Sequence, residues 1–227
     1  TILTNSPGME YAAMRHLEPE TVEAFGMGWN SAASLEDRQF WGLPPEINPE
    51  TGKPRKVWLP AGFVIPIKCM AGIMAVKVRR DGWKSGDRFP KYKLVDGSVP
   101  IPFAKGKPGL PVLILESELD AALVWQEARD LVTVMALPAG NKPHAEAAAF
   151  LRSSPFILFA LDFDVAGRKA WEWWRQNFSS ARPWSVPEGK DVGEFADLGG
   201  HVRAWTMAGV LSRGGSLAIY QEPLTCQ

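Results

Sequence analysis

The 227 residues carry 25 Lys and Arg against 25 Asp and Glu, are 46% hydrophobic and 22% charged, and so have room for one large domain or two small ones and exclude wholesale disorder. No apolar run approaches the roughly 20 residues of a membrane span, and the N-terminus has no signal-peptide pattern. Thr1 rather than Met stands first, which suggests a piece of a longer protein. Cys69 and Cys226 form no C-x-x-C pair, and His16, His144 and His201 are scattered. This argues against a Cys-rich zinc site, a disulfide scaffold and a His-based metal site, and fits a reducing cytoplasm.

In chain order, helices are expected over Glu10–Leu17 and Pro19–Phe25, punctuated by Pro19. Residues 42–62, rich in Gly and Pro, read as a loop. Phe63–Pro66 and Ile73–Arg79 read as strands around a turn at Ala71-Gly72, and residues 81–111 as irregular and basic. From there the rhythm alternates. Val112–Leu115 is a buried strand, Glu118–Ala128 a helix, Leu131–Met135 a strand, and His144–Leu151 a helix. Phe156–Leu161, Ala166–Phe178 and Arg182–Val186 repeat the strand, helix, strand pattern, and short helices follow over Asp191–Leu198 and Val202–Ala208. Such alternation argues for an α/β domain with a largely parallel sheet. Trp171, Trp173 and Trp174 share one helix, so at least one is exposed or covers a neighbouring domain.

The zero net charge conceals an asymmetry. Residues 1–52 hold 2 basic and 8 acidic groups, residues 53–107 hold 13 and 3, and residues 108–227 hold 10 and 14. The middle block, at +10, is interleaved with Trp58, Trp83, Phe89, Tyr92 and Phe103. Concentrated cations attract polyanions, and aromatic rings stack bases. The block therefore points to nucleic-acid or nucleotide binding.

Acids cluster where ligands bind in a parallel α/β sheet, beyond the C-terminal ends of strands. Val112–Leu115 runs into Glu116, and Phe156–Leu161 runs into Asp162-Phe163-Asp164. Asp120 lies one helical turn after Glu116, and Asp191 and Glu194 open a later helix. Asp164 and Asp191 also suit helix N-caps. E-x-x-x-D together with D-x-D favours a metal site, because clustered carboxylates repel one another and hard divalent ions take oxygen ligands. Neither G-x-x-x-x-G-K-[ST] nor G-x-S-x-G is present, which argues against a P-loop ATPase and an α/β-hydrolase.

Leu115–Ala121, Leu161–Ala170 (L-D-F-D-V-A-G-R-K-A) and Gly189–Phe195 (G-K-D-V-G-E-F) resemble the three acidic motifs of a TOPRIM domain, shared by DnaG-type primases, topoisomerases and some nucleases. D-x-D-x-A-G-R-K-A followed by G-K-D is nearest to primases. Tyr11–Asn30 resembles the opening of the primase RNA-polymerase core, Phe63–Arg79 its small sheet, and Pro90-Lys91-Tyr92 and Phe103–Gly106 its basic segments. The match spans residues 10–208 and is most similar to phage and plasmid primases.

The resemblance implies an α/β fold, α+β overall. Residues 1–108 would form a small basic α+β subdomain, 109–200 a TOPRIM-like, largely parallel sheet flanked by helices, and 201–227 a helical or irregular extension. It implies a DNA primase, a nucleotidyltransferase making RNA primers from NTPs on single-stranded DNA during DNA replication. Glu116, Asp162 and Asp164 would be catalytic. Glu116, Asp120, Asp162, Asp164 and Asp191 would hold Mg²⁺ or Mn²⁺, two ions during catalysis. Arg15, Arg79, Lys91 and Lys105 would contact template or triphosphate. A replicative helicase, in cis or in trans, and a separate zinc-binding module are the implied partners, with no membrane. The family pattern has an acid two residues after Asp191 where this chain has Gly193, with Glu194 next to it at capping-box spacing from Asp191. It often has Asn where this chain has Leu94. A TOPRIM nuclease and a non-catalytic module that binds nucleic acid or a helicase are the alternatives.

Overall fold

The computed structural model describes residues 7–137, 142–161 and 165–212. Contacts divide the chain into two compact units, one of Thr1–Met14 with Glu18–Ile101, the other of Arg15–Leu17 with Pro102–Gln227.

In the first unit, α1 (Pro7–Ala13) and α2 (Pro19–Phe25) precede β1 (Gly28–Asn30). Pro19 opens α2 where no intrahelical N–H is needed, and Gly26 closes it in the left-handed conformation, φ +66°. Then come β2 (Ser34–Asp37), a 3-10 turn at Arg38–Trp41, β3 (Lys56–Leu59), β4 (Gly62–Cys69), β5 (Gly72–Arg80) and β6 (Tyr92–Leu94). The order β1-β4-β5-β6 makes an antiparallel sheet, and β2 and β3 pair separately. Pro66 is tolerated inside β4 because β1 ends its pairing at Val64, which leaves that side of β4 open at residue 66. Val57, Val78 and Val95 are buried with Trp41, Leu43 and Val64. Phe63 and Ile65 alternate to the other face, where Tyr11 lies 5.0 Å from Phe63. Three of these strands lie in stretches whose composition reads as loop or irregular chain: β3 within 42–62 and β6 within 81–111, with β7 (Phe103–Lys105) of the second unit also within 81–111. Strands of three or four residues carry too little alternation to register as a pattern.

The second unit is the expected α/β sheet. After β7 come β8 (Val112–Leu115), α3 (Glu118–Ala128), β9 (Thr133–Ala136), α4 (Ala145–Ser153), β10 (Ile157–Ala160), α5 (Val165–Asn177), β11 (Ala181–Pro183), α6 (Val192–Asp197) and α7 (Val202–Ser212). The order is β11-β10-β8-β9-β7, with the first four parallel and β7 antiparallel at the edge. All four residues of β8 are buried, as befits a central strand covered on both faces. Val112, Ile114, Ile157 and Phe159 pack with Leu151 of α4 and Trp174 and Phe178 near α5. Leu113, Leu115 and Leu158 alternate to the other face, which α3 and α7 cover. Gly209 lets α7 approach closely, since a Cβ there would lie 2.9 Å from Leu158 and 2.8 Å from Trp184.

Candidate active site

Strands β8 and β10 are hydrogen-bonded parallel neighbours, and Leu115 is level with Ala160. Residue 116 and the segment leading to residue 162 thus leave the sheet at the same edge. Glu116 is exposed there. Asp162 and Asp164 lie outside the described residues. Ser117 turns the chain into α3, its hydroxyl accepting from the Asp120 N–H at 3.1 Å. Sequence reading missed Ser117, although S-E-L-D is a capping-box spelling that signals it.

Asp120 is 4% exposed. One carboxylate oxygen accepts from Ser117 Oγ at 2.6 Å, and the other accepts from the Gly193 N–H at 3.1 Å and Arg15 Nη2 at 3.4 Å. Burial pushes its pKa from 3.8 to about 6, and the negative charge of Asp191 adds to the rise; Ser117, Arg15 and the Gly193 amide oppose it. Asp191 caps α6, accepting from the Glu194 N–H at 2.8 Å, while the Glu194 carboxylate accepts from the Lys190 N–H at 2.9 Å. The second unit therefore brings Arg15, Asp120 and Asp191 together beside the start of α3.

A stability prediction follows from Asp120. Folded, it keeps its proton to about pH 6, whereas unfolded it releases it near 3.8. The protonated carboxyl thus contributes stability fully below pH 3.8 and loses it as the pH rises through 6, by up to about 3 kcal/mol. Asp120→Asn, which cannot ionise, should gain on the parent by about that much between pH 4 and pH 7 in urea unfolding. A difference that is flat across the two pH values would contradict the assignment.

The basic residues fall in two places. In the first unit, Lys77, Arg79 and Lys91 surround the Tyr92 ring at 5.1, 5.9 and 5.9 Å from its centroid. Arg79 and Tyr92 are register partners on β5 and β6. Arg80 holds the loop between β5 and β6, donating to the carbonyls of Phe89 and Pro90 and pairing with Asp87. In the second unit, Lys105 lies 5.0 Å from the Trp125 ring, and Arg129 lies at the same distance from it. These two, with Lys107 and Asp130, line a cavity of about 480 Å³. Trp125 is two helical turns from Ser117, roughly 12 Å along α3, so this cavity belongs to the far end of that helix. Trp125 and Arg129 escaped sequence reading; their i, i+4 spacing on α3 is the signal that would have found them.

Among the described residues no three His, Cys, Asp or Glu side chains converge as a metal centre. No described helix is long and apolar enough to cross a membrane.

No protein-family profile matches the sequence, and no curated protein sequence does. Solved structures do match. The Aquifex aeolicus primase, comprising zinc-binding and RNA polymerase domains, aligns over 90% of this chain at 21% identity and TM-score 0.62; the chain spans 56% of that protein. A DnaG primase catalytic domain bound to single-stranded DNA aligns over 90% of the chain and 75% of its own, at 17% identity and TM-score 0.63. The primase fragment of the bacteriophage T7 primase-helicase aligns over 88% and 72%, at 18% identity and TM-score 0.57. With its four parallel strands, its antiparallel edge and the small antiparallel sheets of its first unit, the chain has the fold of the DnaG and phage T7 primase catalytic cores.

Proposed function

We propose that this chain is the catalytic core of a DNA primase, joining ribonucleotides on a single-stranded DNA template. The observation that carries the reading is the level ending of β8 and β10, at Leu115 and Ala160, within a primase-like fold; in sequence Glu116 follows the one and the D-x-D of residues 162–164 follows the other. Carboxylate oxygens suit Mg²⁺ and Mn²⁺, so Glu116, Asp162 and Asp164, with Asp191 in support, would hold the ions. When bound, these would activate the primer 3′-hydroxyl and stabilise the departing pyrophosphate.

The chain's own residues would hold the substrates. Lys91 and Arg79 beside Tyr92, and Lys105 and Arg129 beside Trp125, combine phosphate-neutralising charge with a ring, the pairing that single-strand binders use. The DnaG domain solved with single-stranded DNA supports that template. The Aquifex protein's zinc-binding domain and the phage primase-helicase support a zinc module and a helicase as partners of this core.

Incubating the chain with labelled NTPs, Mn²⁺ and single-stranded DNA should produce extension products. DNA cutting without extension would assign a TOPRIM nuclease instead, and neither product would leave a binding module. Affinity for an oligodeoxythymidine should fall steeply with salt. Lys91→Ala and Lys105→Ala should each lower the log–log salt slope by about 1. Lys142→Ala, on a side chain that sits over Trp173, should leave it unchanged. Equal slopes for all three, read by fluorescence anisotropy, would reduce the basic block to a solvated surface.

A further inference from the structure

The resemblance groups Asp120 with the metal-binding acids and Arg15 with the substrate contacts. Their surroundings differ from what those roles require. An ion ligand needs a lone pair turned toward the ion, and a substrate contact needs a guanidinium turned toward solvent. Asp120 is almost fully buried, and both of its oxygens are engaged by Ser117, Gly193 and Arg15.

We infer that Asp120 and Arg15 are positioning residues: they form a latch, closed on the bare backbone of Gly193, that holds the N-terminal ends of α3 and α6 together and thereby sets Glu116 against Asp191.

Each end of the latch is accounted for. On the α3 side, Asp120 and the cap residue Ser117 bind each other reciprocally, hydroxyl to carboxylate and backbone N–H to hydroxyl. That fixes the turn that carries Glu116. On the α6 side, the first-turn amides have no partner within their own helix. Asp191 takes the N–H of Glu194, and Asp120 takes the N–H of Gly193 across 73 residues of sequence. The two acids thus cap one helix from within and from outside. Arg15 closes the latch from above. The next residue reinforces it, since His16 meets Asp197 of α6 at 2.7 Å and its carbonyl accepts from Gln126 of α3 at 3.0 Å.

The same geometry accounts for Gly193. A Cβ there would lie 2.5 Å from Arg15 Nη2 and 3.1 Å from Asp120 Oδ1. An acid at this position, as the family pattern has it, would displace the guanidinium and crowd the carboxylate. The missing acid and the buried acid belong to one arrangement, in which the absent Cβ of Gly193 leaves room for Arg15 and Asp120 against the backbone of α6.

The latch stands on this geometry; only what it positions rests on the primase reading. The test compares the parent chain with Asp120→Ala, Asp120→Asn and Arg15→Ala. Hydrogen exchange at the Gly193 amide should quicken roughly tenfold in Asp120→Ala and measurably in Arg15→Ala, which keeps the carboxylate. It should return toward the parent in Asp120→Asn, whose amide oxygen still accepts. In nucleotide addition, Asp120→Ala should lower kcat roughly ten- to a hundredfold with the KM for NTP unchanged, and Asp120→Asn should recover most of it. Mn²⁺ affinity, followed by the EPR signal of the free ion, should stay within about twofold in both. Loss of Mn²⁺ binding in Asp120→Asn as severe as in Asp120→Ala, with the Gly193 amide still protected, would overturn the inference and make Asp120 a ligand. A chain that neither binds Mn²⁺ nor adds nucleotides would sink the primase reading, and the exchange rates would still decide the latch.

Discussion

Glu116→Gln should lower metal-dependent nucleotide addition by roughly a hundredfold or more and leave the thermal midpoint within a degree or two. Glu116 is the first residue beyond a strand whose four side chains are all buried, yet it is itself exposed. The buried strand delivers it to the C-terminal end of the sheet, outside the core. Substitutions at exposed positions usually change stability by no more than about half a kcal/mol. Removing its charge takes an anionic oxygen from the edge where Asp162 and Asp164 also lie in sequence, and a neutral amide is a far weaker ligand for a hard cation. Asp162→Asn and Asp164→Asn should have the same effect on addition. Without metal all three variants should be at least as stable as the parent, because repulsion among acids is relieved. Incorporation of labelled NTP over a Mn²⁺ titration, with calorimetry on the same samples, separates these outcomes. Parent-like synthesis by any of the three would remove that residue from the site.

Where the sequence was legible, one residue type carried one physical meaning. Four consecutive apolar residues at 112–115 admit little but a buried strand, and E-L-D-A-A-L-V-W-Q-E-A little but a helix; both lie where the pattern places them. The exposed position of Glu116 beyond β8 followed from the topology, since parallel strands expose their C-terminal ends together. What stayed hidden is non-local. Arg15 and Asp120 are 105 positions apart, and no periodicity relates them. Each therefore reads as the surface charge or metal acid of its own neighbourhood. Gly193 reads as an acid lost, because the side chains that would meet a Cβ there, Arg15 and Asp120, come from distant parts of the chain. The short strands β3, β6 and β7 are held by their partners' ladders rather than by a pattern of their own. Lys105 looks like part of a linear basic block, whereas its partner ring comes from a helix that begins 13 residues later.

Trp174→Ala should cost about 3–5 kcal/mol, the largest stability loss expected of any single truncation in the second unit. Of three tryptophans on α5, this is the one with no exposed surface. Its ring stacks on Phe178 at 4.8 Å, lies 5.3 Å from Phe159 and meets Trp173 edge-on at 5.8 Å. Burial of an indole and its ring contacts are thus lost together, and the cavity is walled by a sheet and two helices that cannot collapse into it. For a chain of this size the loss corresponds to a fall of roughly 10 °C or more in the melting temperature. The effect reaches the site through β10, because Phe159 sits on the strand that leads into Asp162. Loosening its packing should lower nucleotide addition well below the melting temperature, with a smaller change in oligonucleotide binding by the first unit's basic face. Trp174→Phe, which keeps a ring against Phe159, should retain more of both stability and activity. Trp173→Ala, on a half-buried neighbour, should cost less than half as much. Calorimetry of the three variants, with addition assayed at 25 °C, tests the order. A Trp174→Ala chain as stable as Trp173→Ala would mean that α5 does not pack on the sheet through this ring.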